Sequence, residues 1–145
     1  MREALSGGMK FIREKPGIVM ITAVALLTAL SIFAGGVSAR VDEDALRLDA
    51  SFYPALSVGY DDIRAARLAE DLDPGQRLHG VGGARIKAGR YLSPEVGGCT
   101  LYAYARVPLL IDLTTDGGHI LFNASSGDAT RELYDELLNN LPDIP

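Results

Sequence analysis

The densest grouping of chemically capable side chains lies in a glycine-rich segment. Arg77, His79, Arg85, Lys87 and Arg90 fall between Asp73 and Glu95 with no acidic residue among them, interleaved with Gly80, Gly82, Gly83 and Gly89. Backbone amides exposed at glycines, joined by guanidinium and ammonium groups, can hold a phosphate or a carboxylate. These five residues are the candidate site for a small anionic ligand or lipid headgroup. The same charges also suit a solvated loop that keeps an acidic domain soluble. A second grouping, Tyr102, Tyr104 and Arg106, shares one face of an alternating segment. Tyr and Arg are enriched at binding hot spots, so this face is the candidate partner contact if solvent reaches it.

Other residue types point away from catalysis. The only histidines, His79 and His119, are far apart and have no ligand spacing to the single cysteine, Cys99. Zinc needs three or four grouped ligands, so no metal is expected. Cys99 falls on the apolar side of its alternating segment and reads as a small core residue. Ser125-Ser126 lacks a nucleophile-elbow pattern, and no helix signal follows Gly80-Val81-Gly82-Gly83 as a dinucleotide fingerprint requires. Asp61-Asp62 reads as a turn or helix start, and Asn123-Ala124-Ser125 as a chance glycosylation sequon. No enzyme and no cofactor are expected.

The element that must position this chemistry comes first in the chain. Residues 17–37, GIVMITAVALLTALSIFAGGV, contain no charge. About twenty apolar residues rising 1.5 Å each cross a hydrocarbon core of about 30 Å. The reading is a transmembrane helix over 17–37, after a basic lead over 1–16 that holds Arg2, Lys10, Arg13 and Lys15. Basic flanks stay cytoplasmic, which places the N-terminus inside and the rest outside a bacterial inner membrane. Val37-Ser38-Ala39 also fits a signal-peptidase site, so secretion after cleavage following Ala39 is the alternative. Residues 38–44 read as a linker.

Beyond it, residues 40–145 hold ten Lys and Arg against seventeen Asp and Glu, a net of −7. That balance argues against nucleic acid, which binds a basic face. Residues 45–141 read as one mainly β domain. Leu46 and Leu48, then Leu56, Val58 and Tyr60, then Leu101, Ala103 and Ala105, then Leu109, Ile111 and Leu113 recur at period two. Asp116-Gly117-Gly118 marks a hairpin before a return strand over 119–124. Ser126 or Asp128 caps a closing helix whose stripe is Leu133, Tyr134, Leu137, Leu138 and Leu141. Asp61 to Leu72 has helix formers throughout, and propensity alone makes it a helix.

In order and spacing, Tyr60-Asp61-Asp62-Ile63, Gly80 to Gly89, Gly98-Cys99-Thr100-Leu101-Tyr102, Thr115-Asp116-Gly117, Ile120-Leu121-Phe122-Asn123 and Leu133-Tyr134 resemble the bacterial pleckstrin-homology-like domain family. The likeness spans 45–140. It implies a bent pair of antiparallel sheets, seven strands in all, forming a sandwich or barrel capped by the C-terminal helix. It also implies a strand over 63–70 in place of the helix. A membrane segment ahead of the domain is typical of such proteins. The resemblance implies a fold far more than a function; with no catalytic constellation in the chain, the expected role is a non-catalytic interaction module whose partner is another envelope protein or a second copy. The phosphoinositide site of the eukaryotic relatives is not carried over, because the first hairpin here has only Arg47.

Overall fold

The computed structural model describes residues 16–142, and the basic lead expected over 1–16 lies outside them except for Pro16. The chain divides into two units at Ala34/Gly35. The first is helix α1, Pro16–Ala34. Proline suits a first helical turn, where its missing N–H is not needed. Side chains on α1 are described from Gly17 to Ala29, and Met20, Ile21, Val24, Leu26 and Leu27 among them are all exposed. Among the described residues no helix is long and apolar enough to cross a membrane.

The 17–37 boundary is corrected by the second unit. Gly35 and Gly36 follow the helix, and Val37–Val41 is strand β1. The stretch read as a linker is therefore part of a sheet. Val37, Ala39 and Val41 turn inward while Ser38 and Arg40 face solvent, a period of two that the neighbouring charges obscure. β1 pairs with β2 (Ala45–Ala50), which pairs with β3 (Tyr53–Gly59), both antiparallel. Pro54 does not interrupt β3, since a proline is tolerated near the start of an edge strand. Phe52, in the turn between β2 and β3, has φ +66° and is exposed.

After a one-turn 3-10 helix over Tyr60–Asp62 the chain enters β4, Ile63–Glu70. The helix favoured by propensity is overridden because Ile63 and Ala69 are buried and the strand pairs along its length with β8. β5 (Gln76–Gly82) and β6 (Ile86–Ser93) form a hairpin. The glycine-rich segment is thus a paired hairpin rather than a solvated loop. β7 (Gly97–Tyr104), β8 (Leu109–Thr115) and β9 (Gly118–Phe122) complete a sheet of order β4-β8-β9-β7-β6-β5. The described residues thus hold nine strands, and β7 and β9 run parallel, where the resemblance implies seven strands in antiparallel sheets.

The main core lies between the two sheets. Leu46, Leu48, Val58, Tyr102, Ile111 and Phe122 meet there. Helix α2 (Gly127–Asn140) contributes Leu133 and Leu137, but Leu138 of the expected stripe is exposed. The Ser126 side chain caps α2 by accepting from the Ala129 N–H at 3.1 Å. A second cluster, with Leu101, Leu110, Leu121 and Tyr91, fills the other side of the large sheet.

Glycine is indispensable where β5 meets β6. Gly80 and Gly89 are register partners with φ of +111° and +148°, and a Cβ on Gly89 would sit 2.1 Å from the His79 carbonyl oxygen. The register shift of this hairpin lies between Arg77 and His79. Gly89→Ala is expected to cost about 1–3 kcal/mol from backbone strain, with the clash in addition. Urea denaturation should show a lower midpoint at unchanged slope. An unchanged midpoint would place the hairpin outside the cooperative unit.

Candidate functional site

The hairpin divides its cations between two faces. Alternation along β6 places Lys87 with Tyr91 on the outer face, and Arg90 with Ile86 and Ala88 on the inner one. On β5, His79 is opposite Arg90 and its ring lies 6.2 Å from that of Tyr53. Arg77 pairs with Tyr91, and its guanidinium lies over Gly82. Arg85 is in the turn. The five candidate anion ligands are therefore not convergent. His79 and Arg90 come together, while Arg77 and Lys87 stand on the opposite side of the sheet.

The proposed contact patch is also rearranged. Tyr102 is only 2% exposed, donates to the Pro54 carbonyl at 2.6 Å and meets Tyr53 edge-on. Tyr104 is half-buried and donates to the Val37 carbonyl at 3.0 Å. Arg106 is exposed but lies past the strand end. The face read as solvent-exposed is the one that packs against the small sheet, so the three residues do not form one open patch. Burial, with Tyr53 and Asp49 nearby, pushes the Tyr102 phenol up to about 12.

Sequence reasoning missed a buried ionic group. Asp112 is 1% exposed in the middle of β8. One carboxylate oxygen accepts from Arg67 Nε on β4 at 2.9 Å, and the other lies 2.7 Å from His119 Nδ1 on β9. Arg67 and Asp112 are direct register partners, and His119 sits beside Cys99 across the parallel pair. The resulting Cys–His–Asp row has the residue types of a nucleophilic triad. Burial and then the Asp112 charge push the Cys99 thiol up, despite an opposing backbone hydrogen bond from Ser93, which is the reverse of thiolate activation. No hydrogen bond joins Cys99 to His119 among the described residues. The row is read as packing plus a satisfied carboxylate, and Cys99 keeps the core role inferred from its alternation. Among the described residues no group of His, Cys, Asp or Glu is arranged to hold a metal ion. Asn123, the sequon residue, is 1% exposed: its Oδ1 accepts from Tyr104 N, and its Nδ2 donates to the Tyr104 and Val107 carbonyls.

A groove of about 330 Å³ lies between β1 and α2. Val37, Ala39, Ala124 and Leu133 give it an apolar floor, and Glu132 and Glu136 stand along the helical wall. Three of the lining residues, Ala39, Ala124 and Ala129, are small. β1 is an edge strand of its sheet. The sequence signal for this site was the Val37-Ala39-Val41 alternation together with glutamates at i and i+4 beside Leu133. No protein-family model, curated protein or solved structure matches the chain.

Two measurements test these placements. Asp112→Ala should lose about 1–3 kcal/mol of stability by leaving its two partners uncompensated, and Asp112→Asn less, since a carboxamide oxygen still accepts from Arg67. Urea midpoints that rank the two equally would remove the network from the account. For Tyr102 the fold holds the neutral phenol, so its contribution is constant below the unfolded value of about 10 and declines as pH rises towards about 12. Thermal midpoints of the wild type should fall more steeply across that window than those of Tyr102→Phe. Parallel curves would contradict the assignment.

Proposed function

We propose that this chain is a membrane-anchored, non-catalytic interaction module of pleckstrin-homology-like type, displayed outside a bacterial inner membrane. The observation that carries the reading is the uncharged apolar run over residues 17–37 of the sequence, about twenty residues, which matches the thickness of a hydrocarbon core. No helix among the described residues is by itself long and apolar enough to cross, so the run as a whole supports the anchor. The described apolar side chains of α1, Val19 excepted, are exposed, whereas a surface helix of a globular domain shows one apolar stripe and one polar face. Arg2, Lys10, Arg13 and Lys15 before the run favour an inside N-terminus.

The pleckstrin-homology-like element of the reading rests on coarse features: two packed sheets, a C-terminal helix seated on the core, and the strand at 63–70. The nine strands and the parallel pair depart from its simplest form. A small-anion site on the hairpin is not proposed, because its cations lie on opposite faces.

Strand β1 also bears on the alternative of cleavage. A cut after Ala39 would remove Val37, Ser38 and Ala39 from the ladder with β2, along with the Val37 carbonyl that Tyr104 bonds. Val37 is 7% exposed, so the loss would open the core. This favours an uncleaved anchor over a secreted domain. Fractionation, N-terminal sequencing and protease access from outside test the reading on the expressed full chain. An intact N-terminus, membrane retention and an externally cleavable domain are the expected results. A soluble product beginning at Arg40, or a domain shielded inside the cell, would overturn it.

A further inference from the structure

We propose that the groove between β1 and α2 takes an extended basic segment of another protein, which adds as a strand to the outer edge of β1. The inference rests on the interaction-module reading and names the chemistry of its partner.

The first argument is where the backbone groups of β1 point. Asp42 N donates to Ala45 O, and Ser51 N donates to Gly36 O. Both bonds flank the β1–β2 ladder and set its parity, so that the even-numbered residues of β1, Ser38 and Arg40, are the ones that bond to β2. In an antiparallel pair such residues alternate with ones whose N–H and C=O groups point away from the partner. Val37, Ala39 and Val41 therefore direct theirs towards the open edge. The Tyr104 hydroxyl takes the Val37 carbonyl at 3.0 Å, which agrees with this parity and closes one end of the groove. The edge groups of Ala39 and Val41 have no pairing strand among the described residues, because β1 is the outermost strand. Strand addition uses groups of this kind: main-chain bonds supply affinity, and alternate side chains supply selectivity.

The second argument is charge. Glu132 and Glu136 are exposed and one helical turn apart, and no cationic side chain lines the groove. The Cβ atoms of residues i and i+4 on a helix are about 5–6 Å apart. Alternate residues of a strand are about 6.8 Å apart on one face. A segment with Lys or Arg at every second position can thus present both cations to the two glutamates. The intervening residues then point to the opposite face of the added strand.

The floor and walls assign distinct effects to four variants. Ala39→Pro removes an edge-facing N–H that β2 does not use, and proline is tolerated on such an edge. Arg40→Pro removes an N–H that pairs with β2 and serves as the destabilising contrast. Glu132→Lys and Glu136→Lys, combined, reverse the wall charge at exposed positions.

The test uses the full chain in lipid nanodiscs and fluorescent eight-residue peptides that alternate Lys with Val, with a Glu–Val alternation as control. Wild type should bind the basic peptide at least tenfold more tightly than the acidic one, and less tightly as salt rises. Ala39→Pro and the double glutamate reversal should each weaken binding at least tenfold while keeping the wild-type circular dichroism and melting midpoint. Equal binding of both peptides would overturn the proposal, as would binding of the basic peptide that survives both variants. Sedimentation of the same samples covers the remaining occupant: a dimer that Ala39→Pro converts to monomer would assign the edge to a second copy and overturn the peptide assignment. Failure here with an anchored, externally exposed domain counts against the groove alone, whereas a misplaced domain counts against the module reading.

Discussion

The structure depends on a sheet whose central strands are buried on both faces. Leu101 and Leu121 are side-by-side partners on one side of β7 and β9, and Tyr102 and Phe122 are partners on the other. All four are at most 2% exposed. Full burial of each such side chain contributes about 1.5–3 kcal/mol. This constraint decides the chemistry of everything placed between them. A carboxylate at Asp112 is tolerated only because Arg67 and His119 reach it from the strands on either side. Cys99, in the same layer, becomes a packed thiol.

The double burial also separates what sequence shows from what it hides. Period-two alternation reported the strands correctly around Leu46, Ile111 and Ile120, because such positions differ in polarity from their neighbours. It misassigned the face of Tyr102, since a central strand has no solvent side and a tyrosine can be buried by giving its hydroxyl to a carbonyl such as that of Pro54. β1 escaped notice because Ser38, Arg40 and the acids at 42–44 make a five-residue edge strand resemble a polar connector. Its inward positions are two valines and an alanine, a weak signal beside the apolar run before them. Residues 61–72 show the reverse case: propensity alone favours a helix, the resemblance implies a strand over 63–70, and pairing with β8 decides for the strand.

The candidate site was still less legible. A groove between a strand and a helix some ninety residues apart in sequence has no local motif. The glutamates at 132 and 136 read as ordinary solvent-facing residues of an amphipathic helix until β1 is placed opposite them. The basic hairpin, by contrast, was conspicuous in composition and proved dispersed, because adjacent positions on a strand point to opposite faces. Spacing along a chain carries different meanings in strand and loop, and the glycines that suggested a loop instead allow two backbones, at Gly80 and Gly89, to approach within a hairpin.

The strand order has a kinetic consequence. β8 and β9 come late in the chain but lie inside the large sheet, between β4 and β7. Arg67 must wait for Asp112, 45 positions further on, before its strand has a neighbour. Closing such loops is entropically slow, and pairings of this separation retard folding. During synthesis, the residues up to Tyr104 emerge with open edges on β4 and β7, and such edges are open to misassembly. The sheet is therefore completed from its middle, by the segment that begins at Leu109.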